Sequence, residues 1–173
     1  MSERNEAANL LLAQVLKLPR TYQQEVPADY IDSNGHVNMM YYTMMANLGM
    51  RHFLEQLGLR MTEFQAQQRG FFALRQVISY LNELREGQQF AVHSGIVNYD
   101  AKRLHFMHYV VNLSNERVAS TDERIAMYID LSTRRSTTFG PEIEARLETV
   151  RLSHAALGWQ PELSGSIQLK ART

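Results

Sequence analysis

The sequence contains no cysteine, which excludes disulfides, thiol nucleophiles, iron–sulfur clusters and cysteine-based zinc sites. It has no excess of charge of either sign, because 18 lysines and arginines balance 18 aspartates and glutamates. Without a net field, nucleic acid or an anionic membrane is not expected to be its main partner. The apolar run at residues 10–13 is too short for a secretion signal or a membrane span. These absences predict a cytoplasmic protein that binds neither nucleic acid nor membrane.

Several cofactor and nucleophile motifs are also missing. The chain has no P-loop, GxGxxG turn, GxSxG elbow or HExxH helix, which argues against nucleotide hydrolysis, dinucleotide-dependent redox chemistry and serine or zinc hydrolases. Asp32 and His36 lie four residues apart with Asn34 between them, a spacing that a metal site tolerates. Because no second cluster of histidines or acids accompanies them, we predict no metal and no cofactor.

The composition is that of one globular domain. With 45% hydrophobic and 21% charged residues, the 173-residue chain is long enough to bury a core. We predict a single domain over residues 1–173 with its core at about residues 20–140. A helical segment at residues 6–17 precedes this core, and a helix that begins at Pro141 follows it, with a polar tail beyond Gly158.

Between these flanks the periodicity changes from helical to extended. A first strand at residues 26–31 leads through a polar turn to a long helix at residues 38–57. After a polar loop, period-two alternation and intervening turns predict four strands in meander, at residues 71–80, 90–99, 103–113 and 117–131. The predicted class is α+β, with an antiparallel sheet wrapped around a long central helix.

The predicted central helix is unusually apolar. It carries five of the nine methionines in the chain, at positions 39, 40, 44, 45 and 50. A helix that is apolar nearly all round is expected to be buried on several sides. Gly49 in its middle is expected to let a strand approach closely, since glycine has no side chain to keep it away.

The densest group of polar side chains is the turn at residues 32–38, DSNGHVN. Hydrolysis of a thioester or ester needs a carboxylate or an imidazole that activates water, and donors for the oxygen that becomes negative. Asp32, Asn34 and His36 are candidates for both tasks. Gly35 can bring a backbone N–H close to a substrate, and the following helix start offers further N–H groups. The same residues also make an ordinary turn and helix cap, so composition alone leaves both interpretations open.

The turn resembles the D-x-x-G-[HI]-V-N pattern of hotdog-fold thioesterases of the 4-hydroxybenzoyl-CoA thioesterase type. The likeness extends to residues 78–87, similar to Y-x-x-P-x-x-x-G-D, and to residues 129–135, similar to V-D-x-x-T-x-R. It covers about residues 26–141, although Asn82 or Glu83 replaces the proline and Gln88 the final acid. The resemblance implies a hotdog fold and the hydrolysis of an acyl-CoA thioester, with coenzyme A present only as part of the substrate.

The resemblance also implies roles for residues in the turn. Asp32 matches the carboxylate that acts in this family as general base or as nucleophile. Asn34 and His36 also match the D-x-N-x-H-V-N pattern of plant-type acyl-ACP thioesterases, in which all three polar side chains are implicated in hydrolysis. Gly35 and Asn38 are expected to contact the substrate.

Two other functions remain open. The protein could bind an acyl-CoA without hydrolysing it, if the polar turn is only a helix cap. It could also hydrate an enoyl-CoA, but the hotdog hydratases resemble D-x-N-P-x-H, with histidine five residues after aspartate. Here His36 is four residues after Asp32 and Gly35 replaces the proline, so the hydratase interpretation is the weaker one.

The family further implies a homodimer, or a dimer of dimers, with the site at the subunit interface. An exposed sheet edge favours such pairing. Strand residues such as Gln76, Ile78 and Tyr80 are candidates to line the acyl pocket, although alternation does not say which parity faces it. An aromatic, an aliphatic and a polar or cationic acyl group all remain possible.

Coenzyme A brings phosphates, which basic side chains bind. Two basic pairs are placed at strand ends: Arg134 with Arg135, and Lys102 with Arg103. We predict that Arg134 and Arg135 contact the substrate. The other five histidines are assigned no role, since isolated histidines are more often surface or core residues: His52, His93, His105, His108 and His154.

Overall fold

The computed structural model describes residues 3–169. Its α-helices are α1 Glu3–Val15, α2 Met39–Gln56, α3 Met61–Ala66 and α4 Pro141–Ala156. Its strands are β1 Arg20–Glu25, β2 Arg69–Tyr80, β3 Gln89–Tyr99, β4 Arg103–Asn112, β5 Arg117–Asp130 and β6 Arg135–Ser136. None of the helices within this range combines the length and the hydropathy required to cross a bilayer.

The central helix α2 is where the sequence predicted it, to within a residue at each end. Asn38 caps it, since its side-chain oxygen accepts a hydrogen bond from the N–H of Met40 at 3.1 Å. Gly58, with a φ of 71°, turns the chain just beyond the last residues of the helix. The buried face consists of Tyr42, Met45, Ala46, Gly49, Phe53 and Leu54.

The sheet has the order β1-β3-β4-β5-β2, all antiparallel, with β6 paired to β5. The prediction of four consecutive strands in meander is therefore wrong for β2, which crosses to the far edge and pairs with β5. The turn at Gly87 is the physical reason. Its N–H donates to the carbonyl of Val26, and the N–H of Val26 donates to Gln88, so this turn joins β3 to the chain that leaves β1.

Two further predictions about local structure need correction. The first strand is β1 rather than residues 26–31, because Pro27 has no N–H for a ladder and a 3₁₀ turn follows at Ala28–Tyr30. The polar loop before β2 contains the short helix α3, which buries Phe64 against the core. Its six residues are too few for a periodic signal.

The helix α2 covers one half of the inner face of the sheet. It packs mainly against β1, β3 and β4. At Gly49 the approach is so close that an added Cβ would lie 2.5 Å from Val92 Cγ1 and 2.8 Å from Thr21 Oγ1. The predicted role of Gly49 is thus confirmed, and the half of the sheet formed by β5 and β2 is left open beside the helix.

Candidate active site

The polar turn is held by its own backbone and by anchors on both sides. Ile31 and Val37 form an antiparallel bridge, inside which the N–H of Asp32 donates to the carbonyl of His36 at 3.0 Å. The N–H of Val37 donates to the carbonyl of Leu84 at 2.8 Å, and the Val37 side chain is buried in the core. A buried apolar residue in the middle of a polar motif therefore fixes where the turn sits.

The carboxylate of Asp32 is oriented by two donors from the same turn. The N–H of Asn34 donates to Oδ1 at 2.8 Å, and the side-chain amide of Asn38 donates to Oδ2 at 3.4 Å. The Asp32 side chain is still 20% exposed. It is thus fixed in direction but open to water and substrate.

His36 lies beside this carboxylate without a direct hydrogen bond to it. Its Nδ1 is 3.9 Å from Asp32 Oδ1 and 3.1 Å from the carbonyl of Val37. A carbonyl only accepts, so a neutral His36 carries its proton on Nδ1, and Nε2 is left with a lone pair. The imidazole can accept a proton or a hydrogen bond there.

Gly35 and Asn38 have structural tasks in the turn. The N–H of Gly35 donates to the carbonyl of Asp32 at 3.0 Å, and its φ of 77° is one that a glycine adopts without strain. That N–H is thus occupied within the turn rather than directed at a substrate. Asn38 caps α2 with its oxygen and holds Asp32 with its nitrogen, so both ends of its amide orient the site.

A groove of about 260 Å³ adjoins the turn, between the start of α2 and the end of β2. His36, Met39, Tyr42 and Tyr80 are among the side chains that line it. The two tyrosine rings meet edge to face at 5.3 Å, and burial raises the pKa of Tyr42, so its hydroxyl stays protonated. The groove offers an aromatic wall next to the candidate catalytic groups.

Arg134 and Arg135 lie at the other end of β2. The guanidinium of Arg134 stacks 4.9 Å above the ring of Phe72, and Arg135 is exposed on β6. Phe72 and Tyr80 are eight strand residues apart, or about 26 Å. Within one chain the structure therefore brings together Asp32, Asn34, Gly35, His36 and Asn38, and it keeps Arg134 and Arg135 apart from them.

A second cavity, of about 820 Å³, lies between α2, α3 and β2. Its polar wall includes Asn47 on α2 and Arg124 on β5, two residues that the sequence patterns did not single out. Arg124 is only 7% exposed and forms an ion pair with the buried Asp122. The available signal was the charged run Asp122-Glu123-Arg124 in the middle of a strand, since such residues are rarely buried unless paired.

The remaining polar clusters do not resemble a metal site. Within residues 3–169, no group of three histidine, aspartate or glutamate side chains is placed to hold a metal ion. Four histidines are buried, and each has a hydrogen-bond partner within the fold; that of His108 is Ser94. His93 bonds to the carbonyl of Leu18, His105 to Glu123, and His154 to the N–H of Ile96.

An antiparallel sheet around one long helix, with a carboxylate turn at the start of that helix, defines a hotdog-fold domain. Residues 26–147 match the model of the thioesterase-like superfamily, and the chain belongs to this family. The predicted hotdog fold and the predicted class, an acyl-CoA thioesterase that hydrolyses acyl-CoA thioesters, are thereby confirmed. Among the relatives, a betainyl-CoA thioesterase of Pseudomonas aeruginosa is 27% identical over 79% of this chain and 86% of its own length.

Two further similarities support this placement. An L-carnitine dehydrogenase/betainyl-CoA thioesterase of Ruegeria pomeroyi is 27% identical over 84% of this chain, which spans only 29% of that longer protein. A Staphylococcus aureus protein solved in complex with CoA superimposes with a TM-score of 0.72 at 25% identity, over 90% of this chain and 97% of the other. The same fold thus occurs in a protein that holds CoA.

Proposed function

We propose that Asp32 is the catalytic carboxylate with which this chain hydrolyses an acyl-CoA thioester. In the reaction, water adds to the thioester carbonyl, the carbon–sulfur bond breaks, and the products are the free acid and coenzyme A. Asp32 takes the proton of the attacking water, or attacks the carbonyl itself to form an anhydride that water then cleaves. Its fixed orientation and its 20% exposure are the observations that carry this proposal.

His36 and Asn34 complete the catalytic group. The carbonyl oxygen becomes negative when the nucleophile adds, and a side-chain amide such as that of Asn34 can donate a hydrogen bond to it. The positive end of the α2 dipole, at Met39, favours the same negative charge. The lone pair of His36 Nε2 can hold the attacking water. Gly35 and Asn38 position these groups through the turn.

Coenzyme A and a second subunit belong to the same proposal. The strand β2 is an unpaired edge that exposes Phe72, Leu74 and Tyr80, which favours pairing with the β2 of a second copy. A two-fold axis through the middle of an antiparallel pair would place the Phe72 end of one protomer beside the Tyr80 end of the other. Arg134 and Arg135 of one protomer could then bind the phosphates of a CoA whose thioester lies at the other's Asp32. We therefore propose a homodimer with shared sites.

The substitution Asp32→Asn tests the assignment. It keeps the size of the side chain but removes the base and the nucleophile, so kcat is expected to fall by about 10²–10⁴-fold. The measurement is the release of free CoA thiol from a panel of acyl-CoA substrates. Asp29→Asn is the matched control, because Asp29 is an exposed carboxylate three residues earlier in the chain, in the 3₁₀ turn.

A wild-type kcat in the Asp32→Asn variant would exclude Asp32 as the catalytic group. Because Asp32 also accepts the Asn34 N–H, the thermal unfolding of the variant is measured in parallel to separate catalysis from folding. Rapid quenching followed by mass spectrometry distinguishes the two roles, since only a nucleophile leaves an acyl adduct on the peptide that contains Asp32. Binding of acyl-CoA without any thiol release would favour the non-catalytic binder instead.

A further inference from the structure

We infer that the cavity between α2, α3 and β2 holds the far end of the acyl group, and that it selects an acyl group with a carboxylate or another oxygen acceptor there. This inference rests on the proposed function. It names a substrate class that differs from the betaine named for the relatives, whose trimethylammonium group is a cation.

The first observation is the composition of the cavity wall. Most of its inner surface is apolar, from Leu54, Phe71, Phe106 and Ala126 among others. Its charged side chains are three arginines, at positions 51, 69 and 124, and no aspartate or glutamate is among the described residues that line it. Each of these arginines pairs with an acid that is not part of the lining, so the cavity offers N–H donors to a ligand but, from the described residues, no carboxylate that would bind a cationic group.

The second observation is that one N–H group of Arg124 has no acceptor among the residues that the structure describes. Its Nε and Nη2 donate to the carboxylate of Asp122, and Nη2 also reaches the carbonyl of Thr43 at 3.4 Å. Its Nη1 donates to Asn47 Oδ1 at 2.5 Å. A guanidinium has five N–H groups, so one N–H of Nη1 remains without an acceptor within residues 3–169.

Asn47 supplies a second donor next to the first. Its oxygen is bound to Arg124, which directs its NH₂ group away from that contact, and this group donates to none of the residues that the structure describes. Two N–H donors from adjacent side chains match the two oxygens of a carboxylate, or the single oxygen of a carbonyl or hydroxyl.

The pair behind these donors is rigid. Asp122 is 2% exposed and also accepts from the amide of Gln76 at 2.9 Å, so the guanidinium cannot turn away from the cavity without leaving a buried carboxylate unpaired. The carboxylate of Asp122 is turned to Arg124 and Gln76, and it is not available to a cationic substrate. The donors are thus preorganised for an acceptor.

The distance along the helix suits an acyl chain. Asn47 is nine residues after Asn38 on α2, which is about 14 Å along the helix axis. The open half of the sheet, formed by β5 and β2, lies beside this stretch of the helix. An acyl chain with its thioester at the polar turn, in the same protomer or across the two-fold axis, has its far end near Asn47 and Arg124.

The test is a ratio of specificities with paired substrates. Suberoyl-, sebacoyl- and dodecanedioyl-CoA are compared with octanoyl-, decanoyl- and dodecanoyl-CoA of matched length, and betainyl-CoA represents the cationic class. For the best pair we expect the wild type to prefer the ω-carboxylate by about tenfold or more in kcat/KM, since a charge-assisted hydrogen bond is worth at least that factor. Betainyl-CoA is expected to be a poorer substrate than that ω-carboxylate.

Asn47→Leu removes one of the two donors and the oxygen that orients Arg124 Nη1, so we expect the preference to fall by about threefold or more. Asn47 is an exposed residue on one helix, so the variant is expected to fold. Gln56→Leu is the matched control, because it removes an exposed amide from the same helix without lining the cavity. Inhibition by free CoA is measured for all variants.

The outcomes separate the two proposals. Three results would overturn the inference and leave the Asp32 mechanism in place. The wild type could prefer betainyl-CoA, Asn47→Leu could keep the wild-type ratio of kcat/KM values, or Asn47→Leu could lower that ratio and also weaken inhibition by free CoA. The last result would mean that the cavity holds coenzyme A rather than the acyl end. Absence of thiol release from every acyl-CoA would instead remove the proposed function, and this inference with it.

Discussion

The two edges of the sheet are built in opposite ways. β1 has six residues, most of them polar, and helix α2 packs closely over it through Gly49. β2 has twelve residues, leaves its edge unpaired and exposes Phe72, Leu74 and Tyr80. Natural sheets usually protect an edge with short strands and charged or polar side chains, as β1 does. The contrast supports the proposal that β2, and not β1, pairs with a second copy and lies beside the substrate.

The buried polar residues follow the same division. On the packed half, Thr21 and Ser94 lie 2.9 Å apart, and Ser94 bonds to His108 at 2.7 Å beneath α2. On the open half, Asp122 accepts a hydrogen bond from Gln76, and Arg124 lines the cavity. The first row is enclosed by the helix, while the second reaches a surface that a ligand can occupy. The polar groups under the helix are thus available only to the core, whereas those beside it are placed where the proposed substrate would lie.

Introducing charge at the β2 edge is expected to have the largest effect. Leu74→Glu removes an exposed apolar side chain, 52% exposed in the monomer, and brings two negative charges together across a two-fold axis. Each leucine has only about half of its surface left to bury in a dimer, so losing two of them costs about 1.5–3 kcal/mol per dimer. We expect the variant to be monomeric in light scattering and to lose at least about 10²-fold in kcat/KM, because the proposed sites are shared between two protomers.

The control for this prediction lies on the other edge. Gln23→Glu places the same charge at an exposed position of β1, and it should leave both mass and activity unchanged. Far-UV circular dichroism of both variants checks that each protomer is folded. A Leu74→Glu protein that stays dimeric with full activity would remove β2 from the interface and end the contrast between the edges.

Filling the close contact on the packed half should change stability rather than activity. In Gly49→Ala the new methyl group meets Val92 Cγ1 at 2.5 Å, and overpacking of this kind costs about 1–3 kcal/mol. The higher helix propensity of alanine returns about 1 kcal/mol. We expect a net decrease of up to about 2 kcal/mol in the free energy of unfolding in urea.

A double-mutant cycle identifies the contact that is responsible. Val92→Ala removes the atom that clashes, so the two substitutions together should destabilise less than the sum of their separate effects, by about 1 kcal/mol or more. The kcat of Gly49→Ala should remain within about threefold of the wild type. Strictly additive effects would mean that the helix moves away from the sheet to make room for the methyl group, and that contact with Val92 is not the cause of the lost stability.

Much of the difference between the packed and the open half of the sheet could be predicted from the sequence. The helical period at residues 38–57 and the alternation at residues 71–80 are local signals, and both elements are where they were expected. Gly49 marked the close approach. The pairing of β2 with β5 was not visible, because register between distant strands depends on which edges remain free after β1 and β3 have paired. Local patterns carry no information on that order.

The candidate site also has a part that local sequence patterns indicate and a part that they do not. Asp32, Asn34 and His36 are neighbours in the chain, so their proximity could be read from one turn, although their roles remain predictions. Asn47 and Arg124 are 77 positions apart and meet only across the helix and the sheet. Nothing in either local pattern indicates the other. Sites assembled from one turn are predictable from sequence, and sites assembled from two elements require the fold.

The smallest predicted effect concerns His154, which joins α4 to β3 on the packed half. The N–H of Ile96 donates to His154 Nδ1 at 3.1 Å, and a nitrogen that accepts a hydrogen bond cannot carry a proton. Burial lowers the pKa of His154 below its usual value of about 6.5, and the pKa values of the buried His93 and His108 are lowered too. The unfolded chain therefore binds more protons than the folded one just below pH 6.5.

The stability that these neutral histidines contribute is complete above about pH 6.5 and is lost as the pH falls toward their folded pKa values, by up to about 1.4 kcal/mol per pH unit for each group. His154→Asn keeps an acceptor for Ile96 but does not titrate, so its stability should fall less steeply from pH 7 to pH 5 than that of the wild type. Urea unfolding at several pH values measures the slopes, with His52→Asn as the variant that removes an exposed imidazole. Equal slopes for His154→Asn and the wild type would show that His154 binds protons equally in the folded and unfolded chains, and that acid does not act on the packed half through this contact.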